Sequence, residues 1–206
     1  YIIGKALRHK PSKVSIYSCS FGSNHHNIVD ELDLEEKKAF ENGIEKGRNG
    51  LGSIYVLSNG NEADDRSCAQ VAKRQSIYTF SITSASENGD KPEHIEECAS
   101  ILAATYSRAD NQKGIVSTDI NNGCTKEFDG TSASAPLASG IIALTLEARP
   151  DLTWRDVMYL VALTSRPDAI PSNQPFTNNR GLLVSSLYGF GLMDAGRMVY
   201  EARDWI

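Results

Sequence analysis

Apolar and polar blocks in the first part of the chain predict a strand, a helix and a second strand. Residues 13–22 contain a largely apolar, β-branched run at 14–19, which is typical of a buried parallel strand. A helix is predicted over residues 32–48, where apolar side chains recur among many charges before a glycine-rich stop. The apolar run at 53–57 predicts the next strand. This order favours a right-handed parallel crossover.

Short apolar runs separated by polar turns continue through the middle of the chain. The polar residues 62–75 predict a surface loop. Three further strands are expected at residues 77–83, 101–106 and 115–118, with turns rich in Asn and Gly between them. The sequence contains no internal repeat and no sign of a second domain. We therefore interpret residues 1–206 as a single domain.

Two helices are predicted in the last third of the chain. The first begins near Ser132 and stops at Pro150, and it is apolar nearly all round, which is typical of a helix in the middle of a core. Thr153 is expected to cap a further helix that runs to about Thr164. A loop rich in Pro and Asn is expected over residues 166–181.

Composition excludes several classes of function. The 206 residues are 40% hydrophobic and 23% charged, which suits one domain with a substantial core. A net charge of -5 without a Lys or Arg run argues against nucleic acid or an anionic membrane as partner. No apolar run approaches the roughly 18 residues that a membrane span needs. The chain begins with Tyr rather than Met, directly in a helix-like segment, so we expect it to be a piece of a longer protein.

The four cysteines do not suggest a metal site. Cys19, Cys68, Cys98 and Cys124 form no C-x-x-C pair and do not lie near histidines at metal-ligand spacing, which argues against zinc. From spacing alone, both disulfide bonding and simple burial of these thiols stay open.

The small residues 130–136, Gly-Thr-Ser-Ala-Ser-Ala-Pro, place Ser132 at the start of the apolar helix. Unpaired N–H groups and the helix dipole stabilise negative charge there, and small neighbours leave room for a substrate backbone. Ser132 is therefore a candidate nucleophile, although serine is also a favoured helix cap. None of the four histidines (His9, His25, His26 and His94) lies in a setting that suggests a general base for it.

The Gly-Thr-Ser-x-x-x-Pro motif before an apolar helix, together with an upstream strand that ends in Gly60-Asn61, resembles the subtilisin-like serine proteases of the kexin/furin-type proprotein convertase branch. Further matching segments follow in the family's order, at residues 50–56, 76–79, 152–156 and 188–195. The resemblance implies a three-layer α/β fold with a mainly parallel sheet, here without its N-terminal part. It also implies a serine endopeptidase that processes proproteins through an acyl-enzyme.

Carried over position by position, the resemblance makes Ser132 the nucleophile and Asn61 the side-chain donor of the oxyanion hole. From its local pattern alone, Asn61 would be a turn residue. The resemblance also implies a substrate-binding strand that pairs with an extended peptide. The implied substrate-binding positions are Ser20, Phe21, Gly22, Asp30, Ser58 and Gly60.

The family's catalytic aspartate and histidine would both lie before Tyr1. Serine without its base is a weak nucleophile, so we expect the 206-residue chain alone to be inactive. Two hypotheses follow for its function. The chain is either part of an active endopeptidase or an inactive pseudoprotease that binds peptides through the strand at residues 20–22.

The resemblance also implies calcium, a disulfide and a cell compartment. The family's calcium carboxylates are replaced here at Arg66 and in the loop after Gly22, which leaves Glu96, and one ligand is not a calcium site. We therefore do not expect this chain to bind calcium there. Cys68 and Cys98 match a family disulfide, which implies the oxidising secretory pathway.

Overall fold

A parallel four-stranded sheet forms the centre of the computed structural model, which describes residues 2–21, 32–63, 72–171 and 174–206. The strands lie side by side in chain order. They are β1 (Ile16–Cys19), β2 (Ile54–Ser58), β3 (Thr79–Ala85) and β4 (Ile101–Tyr106). All three pairings are parallel, so the predicted mainly parallel sheet is confirmed.

Strand β2 shows why the central strands are continuous apolar runs. Successive side chains of a strand point to opposite faces of the sheet. Ile54 and Val56 enter one hydrophobic cluster, and Tyr55 and Leu57 enter another on the opposite face. Because both faces are covered, no position of β2 is left for a solvent-exposed polar residue.

Helices on the two faces complete three layers, as expected from the sequence. On one face lie α1 (Ile2–Leu7) and α2 (Leu34–Lys46), which pack Leu7 and Phe40 against Tyr55. On the other face lie three helices that share the larger cluster with the sheet. These are α3 (Thr131–Ala148), α4 (Trp154–Thr164) and α5 (Ala195–Arg203).

Local capping fixes where α4 begins. The Thr153 hydroxyl accepts a hydrogen bond from Asp156 N at 3.1 Å, and Asp156 Oδ2 accepts one from Thr153 N at 2.8 Å. This reciprocal pair satisfies two N–H groups that the first helical turn leaves unpaired. The predicted cap at Thr153 and the predicted end at Thr164 are both confirmed.

Two antiparallel hairpins lie outside the parallel sheet. The strand predicted at 115–118 exists as β5 (Ile115–Asp119), but it pairs with the unpredicted β6 (Gly123–Phe128). The predicted loop at 166–181 contains β7 (Phe176–Thr177), which pairs with β8 (Leu183–Val184). These strands are mostly exposed, so they carry no continuous apolar run that would reveal them.

Helix α3 is not buried all round, so that prediction is wrong. Ala135, Ala138 and Ile142 face the sheet and are fully buried. Leu137 and Leu144 remain 37% and 52% exposed. An apolar sequence therefore identified the helix correctly but overstated how much of its surface is covered.

The predicted surface loop at 62–75 also needs a correction. Its residues 64–71 lie outside the described part of the chain. The final segment, Ala72–Gln75, is a short 3-10 helix in which Arg74 is only 5% exposed. Within the described ranges, no helix combines the length and apolar character that crossing a membrane requires.

Two glycine-to-alanine substitutions should have opposite effects on stability. A Cβ added at Gly43 of α2 would lie 1.8 Å from the buried Tyr55 hydroxyl, which donates a hydrogen bond to Leu7 O. Gly43→Ala must displace Tyr55 and should cost about 1 to 3 kcal/mol. Gly140 of α3 has nothing within 4 Å of its added Cβ, so Gly140→Ala should stabilise the helix by about 0.5 to 1 kcal/mol.

Thermal unfolding followed by circular dichroism would measure both substitutions in the same background. Equal melting temperatures for Gly43→Ala and Gly140→Ala would contradict the described packing between α2 and β2.

Candidate active site

Gly130 turns the chain into α3 and leaves space for Asn61. Its φ of +73° is a conformation that side-chain-bearing residues rarely adopt. A Cβ at this position would also lie 3.0 Å from Asn61 Nδ2. Glycine is therefore required both by the backbone angle and by the approach of the Asn61 side chain.

Asn61 is held against the start of α3 by Thr131, the residue before Ser132. Thr131 N and Thr131 Oγ1 both donate hydrogen bonds to Asn61 Oδ1, each at 2.9 Å, and the Oγ1 hydrogen also has Gly60 O within reach at 3.2 Å. Gly60 N donates to Thr131 Oγ1 at 3.2 Å. Because two donors fix the amide oxygen, the Nδ2 end of Asn61 is the end that is left to donate. The structure thus brings the turn after β2 to the residue next to Ser132.

Ser132 is half-buried in the first turn of α3, and its contacts join it to the end of β1. Ser20 Oγ donates to Ser132 O at 2.9 Å, and Ser132 Oγ donates to Ser20 O at 3.3 Å. Pro136 has no N–H, so Ser132 O lacks its usual helical donor and accepts from Ser20 instead. A proline inside the helix therefore provides the acceptor that anchors β1.

The other predicted substrate-binding residues fall into three groups. Phe21, next to Ser20, is 46% exposed and available for contact. Ser58, the last residue of β2, and Gly60, in the turn that presents Asn61, are both buried, so they can offer main-chain atoms rather than side chains. Gly22 and Asp30 lie outside the described residues, and their roles stay predictions.

Buried hydroxyls behind Ser132 support the first turn of α3, and sequence reasoning did not identify them. Ser107 Oγ donates to Gly130 O at 3.0 Å, and Thr105 Oγ1 donates to Ser134 O at 2.7 Å. Ser134 Oγ also lies 2.9 Å from Ser84 Oγ. Ser and Thr in a strand normally suggest a solvent-facing side. Only the fold shows that these hydroxyls are buried and hydrogen-bonded to the first turn of α3.

Neither histidine in the described residues is hydrogen-bonded to Ser132. His94 Nε2 lies 3.4 Å from Ser84 Oγ, and burial lowers the pKa of His94, partly offset by Asp129 and Asp110. The carbonyl of His9 accepts a hydrogen bond from Tyr17. His25 and His26 lie outside the described residues. The Ser132 hydroxyl is therefore directed to the Ser20 carbonyl rather than to a described base.

The thiols differ in their surroundings. Cys19, at the end of β1, is a free thiol, and burial raises its pKa to about 11, partly offset by Lys73. Cys124 is free and exposed on β6. Cys68 lies outside the described residues, so its pairing with Cys98 stays a prediction.

The residues around Glu96 do not fit a calcium site. Its carboxylate accepts hydrogen bonds from Arg74 Nη1 at 3.4 Å and from Glu62 N at 3.1 Å. Calcium needs six to eight oxygen ligands, most often from several carboxylates. Across the described ranges, no three His, Cys, Asp or Glu side chains come together as a metal site.

The sequence is similar to those of a known protein family. Residues 1–191 match the profile of the Subtilase family, peptidase S8. Proprotein convertase subtilisin/kexin type 5 of Rattus norvegicus is 48% identical over 204 residues, which cover 98% of this chain and 11% of that protein. Furin of Homo sapiens is 47% identical over 204 residues, covering 98% of this chain and 26% of that protein. These findings confirm the resemblance drawn from the sequence.

A solved structure supports the fold. A serine protease of Aeromonas sobria superimposes with a TM-score of 0.80 at 18% identity, covering 93% of this chain and 44% of that one. The chain spans only 11% and 26% of the length of the two curated relatives.

The role of Thr131 can be tested with a matched pair of substitutions in α3. Thr131 and Thr145 are both fully buried, and valine has nearly the same shape as threonine. Thr131→Val removes the acceptor of Gly60 N and one donor to Asn61, which should cost about 2 to 3 kcal/mol. Thr145 Oγ1 bonds only within its own helix, to Ile141 O, so Thr145→Val should cost about 1 kcal/mol or less.

Urea unfolding of both variants gives the comparison. If Thr131→Val were as stable as Thr145→Val, the hydrogen bonds between Asn61 and α3 would contribute nothing to the free energy of unfolding.

Proposed function

The chain belongs to the subtilase family, and we propose that Ser132 is the nucleophile and Asn61 an oxyanion donor of a serine endopeptidase of the subtilisin/kexin class. The observation that carries this proposal is the pair of hydrogen bonds from Thr131 to Asn61 Oδ1. They hold a side-chain amide beside the helix start that bears the serine. A helix cap alone would need no such partner.

In the proposed reaction, Ser132 Oγ attacks the acyl carbon of a peptide bond. The new C–O bond forms as the carbonyl π electrons move to the oxygen, and the hydroxyl proton passes to a base. Collapse of this intermediate releases the amine, which takes up that proton, and leaves an acyl-enzyme that water hydrolyses. The proposal assigns the base to the histidine that the family uses, and to none of the four histidines in this sequence.

In this proposal, two donors stabilise the negative charge on the acyl oxygen. The Ser132 N–H belongs to the first turn of α3, where N–H groups lack helical partners and the helix dipole is positive. Asn61 Nδ2 supplies the second donor. One such side-chain donor contributes about 3 to 4 kcal/mol to transition-state stabilisation.

The substrate is proposed to be an extended polypeptide that pairs with the chain after β1. Support comes from the hydrogen bonds between Ser20 and Ser132, which join the residue after β1 to Ser132. Extended peptides bind such strands by main-chain hydrogen bonds. By likeness to relatives named proprotein convertases, we propose proproteins as substrates and the secretory pathway as the location.

A peptide-binding pseudoprotease is the second candidate function. The observation that favours it is the Ser132 hydroxyl, which donates to Ser20 O and contacts no described base. Such a protein would keep the strand that pairs with peptide but would not need Asn61 Nδ2 as a donor.

The Asn61→Asp substitution separates the two candidates. The aspartate keeps an oxygen for Thr131 N but loses the amide donor and adds negative charge, so kcat should fall about 100- to 1,000-fold with little change in KM. Ser132→Ala should abolish both turnover and labelling by a fluorophosphonate. The measurement is steady-state peptide hydrolysis by the full-length gene product.

Asn42→Asp is the matched control, because Asn42 lies on α2 at the opposite face of the sheet. Its kcat should equal that of the wild type. Unchanged kcat in Asn61→Asp would contradict the oxyanion role of Asn61. A wild type that binds peptide but neither cleaves nor labels would favour the pseudoprotease.

Residues 1–206 expressed by themselves should not hydrolyse peptides, because the Ser132 hydroxyl donates to Ser20 O and contacts no base among the described residues. Incubation of the purified chain with a peptide library, read by mass spectrometry, measures this. Cleavage that disappears in Ser132→Ala would contradict the expectation and would identify a base within the chain.

A further inference from the structure

Glu96 is a fully buried carboxylate directly beneath the turn that carries Asn61. Its side chain is 0% exposed. A Cβ added at Gly60 would lie 2.1 Å from Glu96 Oε1, so the carboxylate packs against the backbone of that turn. Asn59 Nδ2 also donates to Glu96 O at 3.2 Å. A buried carboxylate needs a compensating charge or hydrogen bonds, because leaving water is costly.

Arg74 supplies positive charge from inside the protein. Its side chain is 6% exposed, and Nη1 donates to Glu96 Oε2 at 3.4 Å. The same nitrogen would lie 2.4 Å from a Cβ at Gly60, so the guanidinium is packed into the turn together with the carboxylate. Guanidinium remains protonated at all accessible pH values, which makes it a permanent counter-ion.

The residue before Arg74 makes a second ion pair of the same kind. Lys73 Nζ lies 3.2 Å from Glu36 Oε1, and both side chains are largely buried, at 14% and 7% exposed. The 3-10 helix Ala72–Gln75 therefore sends one cation to α2 and one to the Gly60-Asn61 turn. Two buried pairs fix the position of this helix, so the Arg74 guanidinium is built into the core.

We propose that the Arg74–Glu96 ion pair stands in place of a divalent cation beneath the Gly60-Asn61 turn. Both oxygens of the carboxylate already accept hydrogen bonds, Oε1 from Glu62 N and Oε2 from Arg74. A guanidinium within hydrogen-bond distance would repel a divalent ion at the same oxygens, and this repulsion is strong where water is excluded. Arg74 is thus a buried counter-ion of Glu96, and Glu96 is not a metal ligand.

The proposal rests on these contacts alone and stands whether or not Ser132 is a nucleophile. Its readout is the melting temperature (Tm), so the outcome is independent of catalysis. Calcium bound elsewhere in the protein would also change Tm. The decisive quantity is therefore the difference in calcium response between the wild type and Glu96→Gln.

The first test compares Tm in calcium and in EGTA for the full-length wild type and Glu96→Gln. Because Glu96 holds no metal, the Tm change on chelation should be the same in both proteins. A chelator response that is lost or reduced in Glu96→Gln would identify Glu96 as a calcium ligand and overturn the proposal. This comparison needs no Arg74 variant, so it still tests the proposal if the Arg74 variants do not fold.

The second test measures the ion pair directly. Arg74→Met removes a buried positive charge beside the Glu96 carboxylate and should lower Tm by about 10 °C. Arg74→Lys should lower Tm less than Arg74→Met does, because lysine keeps the positive charge. The double variant Arg74→Met/Glu96→Gln should recover at least about half of the Arg74→Met loss, since the buried charge is gone.

Lys113→Met is the matched control. Lys113 and Glu87 are also 3.4 Å apart, but their side chains are 84% and 44% exposed, so removing this pair should leave Tm nearly unchanged. Equal effects of Arg74→Met and Lys113→Met, or a double variant as unstable as the sum of the two single variants, would overturn the proposal.

Discussion

The candidate site depends on one contact, the pair of hydrogen bonds from Thr131 to the amide oxygen of Asn61. These bonds join the end of β2 to the start of α3 and orient the amide of Asn61. They also explain why Gly130 must be glycine, because the same amide lies against it. Thr131 is fully buried whereas Asn61 is exposed, so the contact is shielded from water on the side of the helix.

Around this contact, hydrogen bonds from polar groups hold the helix in position, whereas apolar packing does so elsewhere in the domain. The first turn of α3 is supported by hydroxyls from β4 and the residue after it, through Thr105 and Ser107. The next turns of the helix bury Ala138 and Ile142 against the sheet instead. Directional hydrogen bonds therefore lie at the first turn of α3, where atoms must be positioned. Dispersive contacts lie along the later turns, where side chains need only be excluded from water.

Much of the fold could be predicted because burial on both faces leaves a continuous apolar run in the sequence. The residues of β4 and α4 were predicted to their ends, and Ser132 and Asn61 were identified through motifs at the ends of regular elements. The hairpin β5–β6 was missed because an exposed strand carries no such run. Arg74 was misplaced on the surface for a different reason: its charge is compensated by Glu96, 22 positions later, and no local pattern encodes that partner.

Pro136 has a consequence for how the helix and the strand are connected. A residue with an N–H at this position would bring a competing donor to the Ser132 carbonyl, and the helix would then complete its own ladder. Ser132 O would then be shared between two donors, and the hydrogen bond from Ser20 at the end of β1 would weaken. Proline weakens most helices. In α3 it keeps the Ser132 carbonyl available to Ser20, which lies 112 positions earlier in the chain.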